Sequence, residues 1–219
     1  MLTVIEPAET TELTTLDRLK LSLGITEDTD DEYLDMLIDQ QSDYVCAYLN
    51  VAMADDGTRT IGRETLTETF SPVAWRPKLI LSRFPVFEVT EILVGTNNEP
   101  LDPAEYSVNR ATGLLYRGSP AGWDWWWSYS TVSVTYSAGW LLPGDEGTNL
   151  PAVIEGATMS LISTSRAGRG RDPLAKSETI PGVISTEYWV GPVGTSGSHA
   201  SGMPPDIASR LSPYRRYIV

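Results

Sequence analysis

Residues 26–50, "TEDTDDEYLDMLIDQQSDYVCAYLN", decide how the chain begins. Leu34, Leu37, Ile38, Gln41, Val45, Tyr48 and Leu49 recur at helical spacing along one stripe with acids between them, which predicts an amphipathic helix of about five turns. The acids crowd in and before its first turn, where the helix dipole favours negative charge, and Asn50 suits its exit. Just upstream, "TTLDRLKLSLGI" (14–25) predicts a shorter helix, capped by Thr14 or Thr15. Leu16, Leu19 and Leu23 lie on one side, and Gly24 is the stop.

From Arg63 to Trp140 the period changes from helical to alternating. "ETLTETF", "KLILSRFPV", "VTEILVGTNNEPL", "YSVNRATGLLYR" and "STVSVTYSAGW" read as strands and hairpins, separated by turns rich in Gly, Asn and Pro. Helical spacing returns in "LPAVIEGATMSLISTSRA" (150–167), with Pro151 at the first helical position, Ile154, Ala157 and Leu161 on one side, and an end near Gly168. "GRGRDPLAKSETIPG" reads as an exposed loop, "VISTEYWV" as an extended segment, and the small residues of 191–202 as a flexible linker. A last short helix starts at Pro204 or Pro205, carries Ile207 and Leu211, and runs into a basic, aromatic tail.

The expected fold class is therefore α+β: a small helical bundle with an inserted antiparallel β-rich lobe. Its parts are N-terminal helices over 1–62, the lobe over 63–142, a core helix over 143–168, a loop and linker over 169–202, and a C-terminal helix with tail over 203–219. No internal repeat is visible.

The net charge of −13 is unevenly spread: residues 1–60 carry 14 acids against 3 bases, 61–150 carry 10 against 6, and 151–219 carry 5 against 7. A chain built to grip phosphate backbones would show a basic face, so nucleic-acid binding is disfavoured as the main function. No stretch is apolar for long enough to cross a bilayer, and the start lacks the pattern of a secretory leader. The single cysteine, Cys46, precludes an internal disulfide and a multi-cysteine metal site, and its place beside Val45 and Leu49 reads as core.

Candidate chemistries fall away one by one. The one histidine, His199, lies in the Gly/Ser linker, away from any rigid scaffold that could hold a triad. Asp28, Asp30 and Glu32 have calcium-loop spacing, but Tyr33 stands where that loop needs its glycine. "GRGRD" lacks the lysine and hydroxyl residue of a phosphate-cradling loop. No catalytic residue, metal or cofactor is assigned. Arg166, Arg169 and Arg171 are left as solvated or partner-facing, with a DNA-facing loop as the alternative.

"AGWDWWWSYS" (121–130) holds four of the seven tryptophans. Alternation puts Trp123, Trp125 and Trp127 on one face and Trp126 on the other, so one buried face cannot absorb all four. They are candidates for packing within the lobe together with contact to a neighbouring subunit or ring, and the acids nearby disfavour stacking on nucleic-acid bases. Aromatic platforms also bind sugars, so a carbohydrate- or receptor-binding module is the alternative reading.

The order of these pieces resembles the head-tail connector (adaptor, or head-completion) family of tailed bacteriophages and gene transfer agents. "TTLDRLKLSLGI" and "DDEYLDMLIDQQSDYVCAYLN" are similar to its opening helices, "VSVTYSAGW" with "LPAVIEGATMSLI" to its middle junction, and "MPPDIASRLSPYRRYIV" to its C-terminal helix and Tyr-Arg-Arg tail. The Trp-rich hairpin and the linker of 191–202 depart from the pattern. The resemblance implies a nonenzymatic virion protein, made in the host cytoplasm, that forms a ring, typically twelvefold, below the portal after genome packaging. That ring is a platform for stopper or tail and lets DNA pass. It further implies docking on the portal by Arg210–Val219, with Arg210, Tyr214, Arg215, Arg216 and Tyr217 as contacts. Helix-end charge is the plainer alternative for Arg215 and Arg216. The expected partners are the portal protein, a stopper or tail-completion protein, other copies of the chain, and DNA only in passing; a membrane is not among them.

Overall fold

The computed structural model describes residues 1–71, 73–118, 126–129, 131–169, 177–180, 184–187 and 203–216. The chain is α+β and divides into two units, one formed by Leu13–Leu49 with Pro151–Val219, the other by Met1–Glu12 with Asn50–Leu150.

In the first unit, α1 (Leu16–Leu23) starts where the Thr15 hydroxyl accepts the Arg18 N–H at 3.4 Å, and ends at Gly24, whose φ of 67° is the left-handed conformation of a C-cap glycine. Of the two candidate caps, Thr15 has the role. The neighbouring Thr14 instead donates to Glu155 at 3.2 Å. Helix α2 (Asp31–Tyr48) buries Leu34, Leu37, Ile38 and Val45 of the expected stripe, with Ser42 and Cys46 beside them, while Gln41 and Tyr48 are half-buried; Asn50 beyond it takes a φ of 61°. Helix α3 (Ala152–Ala167) has Pro151 as its cap, one position before the expected place, and ends at Gly168. The apolar centre is Leu19, Leu34, Leu37, Ile38 and Ile162, ringed by Leu16, Leu23, Ile25, Tyr33 and Met159. Further along the chain come the hairpin strands β11 (Ser177–Ile180) and β12 (Ile184–Glu187) and the short helix α4 (Pro205–Leu211). The loop expected over 168–182 thus contains a strand. Thr179 and Ile180 pair with Ser185 and Ile184 in a register that only the fold supplies.

The second unit centres on a five-stranded antiparallel sheet of order β1-β2-β10-β5-β6, comprising β1 (Leu2–Glu6), β2 (Glu64–Phe70), β10 (Val132–Ala138), β5 (Val86–Val94) and β6 (Glu99–Pro100). A three-stranded sheet, β4 (Lys78–Ile80), β8 (Leu114–Arg117) and β7 (Tyr106–Asn109), and a ribbon of β3 (Val73–Arg76) with β9 (Trp127–Tyr129) complete it. Strand β1 was not anticipated. Its five residues pair with a strand about 60 positions away, and nothing local marks them. Strand β10 sets the inward face through Val132, Val134, Tyr136 and Ala138, which pack with Leu66, Leu79, Leu81, Ile92 and Leu115. Full burial of each such aliphatic side chain contributes about 2 kcal/mol. Where β10 ends, Gly139 has a φ of 110°, and a Cβ there would lie 2.2 Å from the Gly62 carbonyl oxygen. Only glycine lets the chain pass.

Candidate partner-binding surfaces

The C-terminal segment is anchored before it can reach outward. Met203, Ile207 and Leu211 are buried, and the Tyr48 hydroxyl donates to the Ala208 carbonyl at 3.3 Å. After a 3-10 turn at Ser212–Tyr214, the Arg215 guanidinium lies 5.0 Å above the Tyr48 ring, and the Arg216 N–H donates to the Leu49 carbonyl at 3.0 Å. That carbonyl is one of those a helix end leaves without an internal partner, so the tail completes α2. The cation at Arg215 also suits the negative end of the helix dipole. Arg210 pairs with Asp206 one turn back at 3.6 Å. Four of the five residues expected to dock on a portal therefore lie in one short segment held at the end of α2, while Tyr217 falls outside the described residues.

Of the four clustered tryptophans, Trp123 and Trp125 also lie outside the described residues. Trp127 is 0% exposed, a member of the β-unit core, and so offers no surface to a neighbouring subunit; this corrects its assignment as a contact. Trp126 is 52% exposed. Alternation had separated these two residues, and it is the inward one that the core absorbs. The ribbon adds a residue the sequence had not singled out. Trp75 is 73% exposed, sits next to Arg76, the register partner of Trp127, and has a φ of 50°. Such a backbone angle is uncommon for so large a side chain.

Arg166 and Arg169, at the end of α3, converge on Asp30 at 3.5 and 2.9 Å, and the Arg169 guanidinium lies 4.3 Å over the Tyr33 ring. Arg169 above all, with Arg166, holds the Asp30 carboxyl below its usual range. Much of the charge offered for a DNA-facing loop is thus answered within the chain. Arg171 is outside the described residues. Nearby, Glu155 accepts both Nε and Nη2 of Arg18, at 2.6 and 2.7 Å, and Lys20 bridges Asp28 and Asp31.

What sequence reasoning missed is a buried polar network in the β unit. Strand β2 turns Glu64, Leu66 and Glu68 inward. The Arg83 guanidinium, 2% exposed, donates through Nε to Glu64 at 3.3 Å and through Nη1 to the Ala52 carbonyl, while its buried Nη2 has no hydrogen-bond partner among the described residues. Glu68 accepts the Ser82 hydroxyl and N–H at 2.5 and 2.7 Å and the Tyr136 hydroxyl at 2.9 Å; the Tyr136 oxygen in turn accepts the Arg83 N–H at 3.2 Å. Burial pushes the Glu64 carboxyl up despite Arg83, and burial beside Glu68 holds the Tyr136 hydroxyl well above its usual range. The signal was present in "ETLTETF", but alternation alone does not say whether glutamates or threonines face inward. These groups answer one another and form no cluster suited to chemistry. Among the described residues, no three His, Cys, Asp or Glu are placed to hold a metal, and no helix is long and apolar enough to cross a membrane.

The fold is shared along its whole length with chains of gene transfer agent (GTA) particles. A chain of the virion of native GTA aligns over 100% of this chain and 97% of its own, with a TM-score of 0.59 at 14% identity. One from the neck of the empty GTA particle, computed with C6 symmetry, gives 0.58 at 14% over the same shares. One from the neck of the native particle, computed with C12 symmetry, gives 0.53 at 15%, again over 100% and 97%. Residues 13–71, from the approach to α1 through β2, match the model of the Phage gp6-like head-tail connector protein family. The resemblance to the head-tail connector family thus holds in sequence pattern over 13–71, and the fold is that of chains in gene transfer agent particles. No curated protein matches the sequence.

Proposed function

We propose that this chain is a structural, nonenzymatic head-tail connector of a phage-like particle, placed in the virion at the head-tail interface. In this reading it joins a ring below the portal, with twelve subunits as the expected number, receives the stopper or tail on its far side, and lets DNA pass through the centre. The observation that carries the reading is the coincidence of the connector-family pattern at 13–71 with a fold shared end to end with chains of gene transfer agent necks. A helical bundle bearing an inserted β lobe is the architecture it implies. The acidic N-terminal third suits a channel that must not retain DNA. Portal docking falls to Tyr214, Arg215 and Arg216 with Arg210 and Tyr217, presented from the end of α2, and the Trp-bearing ribbon serves contact between subunits or with the next ring. Arg166, Arg169 and Arg171 remain a partner-facing loop.

The test is Arg215→Glu with Arg216→Glu, expressed in a background that lacks the connector. The Arg216 hydrogen bond to Leu49 is made by its backbone and survives the change. Expected are a folded protein and filled heads that do not join tails. Normal necks and tails on those particles would remove the docking assignment. The sugar-binding alternative is left with a smaller platform now that Trp127 is core; it requires saturable glycan binding that Trp126→Ala abolishes.

A further inference from the structure

We infer that the β3–β9 ribbon of one copy docks on the outer face of α2 of the next copy, a contact that rests on the ring reading above. The ribbon and its flanks carry exposed Trp75, Arg76 and Trp126, with exposed Lys78 two residues on at the start of β4, and neither cation has an ion-pair partner among the described residues. Two free cations beside two exposed indoles select an acidic partner with some apolar surface. This chain carries one. On α2, Glu32, Asp35, Asp39 and Asp43 are all exposed and without ion pairs among the described residues, and exposed Met36 lies among them. At 100° per residue these five fall within about one third of the helix circumference, a stripe ~16 Å long. A methionine there gives an indole a soft, polarisable contact.

The two patches differ from each other, and a contact between different patches on identical chains propagates head to tail, which is the kind of contact a closed ring is built from. A second copy therefore satisfies both surfaces at once. DNA would satisfy only the two cations, from a segment whose net charge is −4. The left-handed backbone at Trp75 fits a residue held outward for a partner.

The experiment adds full-length chains to portal-bearing particles that lack the connector and counts rings by electron microscopy. Two charge-reversed variants, Arg76→Glu with Lys78→Glu and Asp39→Lys with Asp43→Lys, change only exposed side chains; thermal unfolding and circular dichroism matching the wild type establish their fold. Each alone is expected to lower ring occupancy at least ~10-fold, since facing like charges oppose docking. Mixed together they are expected to recover rings, because each junction then pairs opposite charges, alternately native and reversed. Wild-type occupancy from either variant alone, or no recovery on mixing, overturns the contact while leaving the connector reading intact. A defect confined to the Arg76/Lys78 variant and accompanied by lost DNA retention assigns the ribbon to DNA instead. If the wild-type chain itself makes no ring, the connector reading fails and takes this contact with it.

Discussion

The two units solve the same problem of charge in opposite ways. The helical unit keeps an aliphatic centre and moves most of its ion pairs outward: Asp28 and Asp31 on Lys20, and Arg166 and Arg169 with Asp30, lie at the rim, and among the described residues Glu155 and the stem of Lys20 are the paired groups drawn in from water. The β unit encloses Glu64, Glu68 and Arg83 among its aliphatic side chains. Helices allow the first solution because a 3.6-residue period leaves a broad solvent face for charge. A strand has only two faces, and β2 sets Glu64 and Glu68 on the same face as Leu66, so that face had to bury acid or expose Leu66. A buried ion pair adds little stability in net terms, yet breaking one side of it is expensive. The β unit is therefore expected to be sensitive to single polar changes, and the helical unit to apolar ones.

The sharpest break of that contrast is Arg83→Met, which leaves Glu64 buried without its cation and is expected to destabilise the β unit by about 3–5 kcal/mol. Adding Glu64→Leu should recover most of this. Urea unfolding of single and double variants reads both, and a loss below about 1 kcal/mol for the single variant would show that water reaches Glu64. Next in size, Leu34→Ala should remove about 3 kcal/mol from the helical unit by opening a cavity. Amide exchange should then rise in α1–α3 before it rises in β10. Tyr136→Phe deletes the donor to Glu68 and the acceptor for the Arg83 N–H, for an expected loss of about 1–3 kcal/mol. Tyr48→Phe is milder, about 1 kcal/mol, and should loosen 203–216 alone.

The smallest effect is one of sign with pH. Lys20 and Arg169 hold Asp28 and Asp30 below the ordinary value, so the unfolded chain binds more protons at these sites. Their contribution is complete above about pH 4 and is lost as pH falls through the folded values. Glu64 is raised, so its ionisation counts against the folded state as pH climbs from about 4 through its folded value. Acidification should therefore raise exchange in the helical unit first, and Asp30→Asn should flatten that response.

How much of this was legible follows from the same contrast. The spacing of Leu34, Leu37, Ile38, Val45 and Leu49 yields the buried face of α2 because acids mark the other side. In "ETLTETF" one alternate set is all threonine and the other mixes Leu66 and Phe70 with two glutamates, so the burial of those acids is settled by Arg83 and Ser82, more than ten residues along the chain. The separation of Trp126 from Trp127 was readable, but which indole lies inside depends on the pairing of β9 with Val73–Arg76. Trp75 carried no sequence mark, because neither its exposure nor its left-handed backbone angle is written in a local pattern.

The interrupted path of the helical unit has a consequence during synthesis. Helices α1 and α2 leave the ribosome first, but their partners α3 and α4 follow only after the stretch Asn50–Leu150, about 100 residues later. At ~5–20 residues per second, α2 waits on the order of 10 s with Leu34, Leu37 and Ile38 uncovered, while most of the β unit, which is continuous from Asn50, can close. The acids along its outer face keep that nascent helix apart from its neighbours on a polysome, before the same charges have any neighbour in a particle to meet.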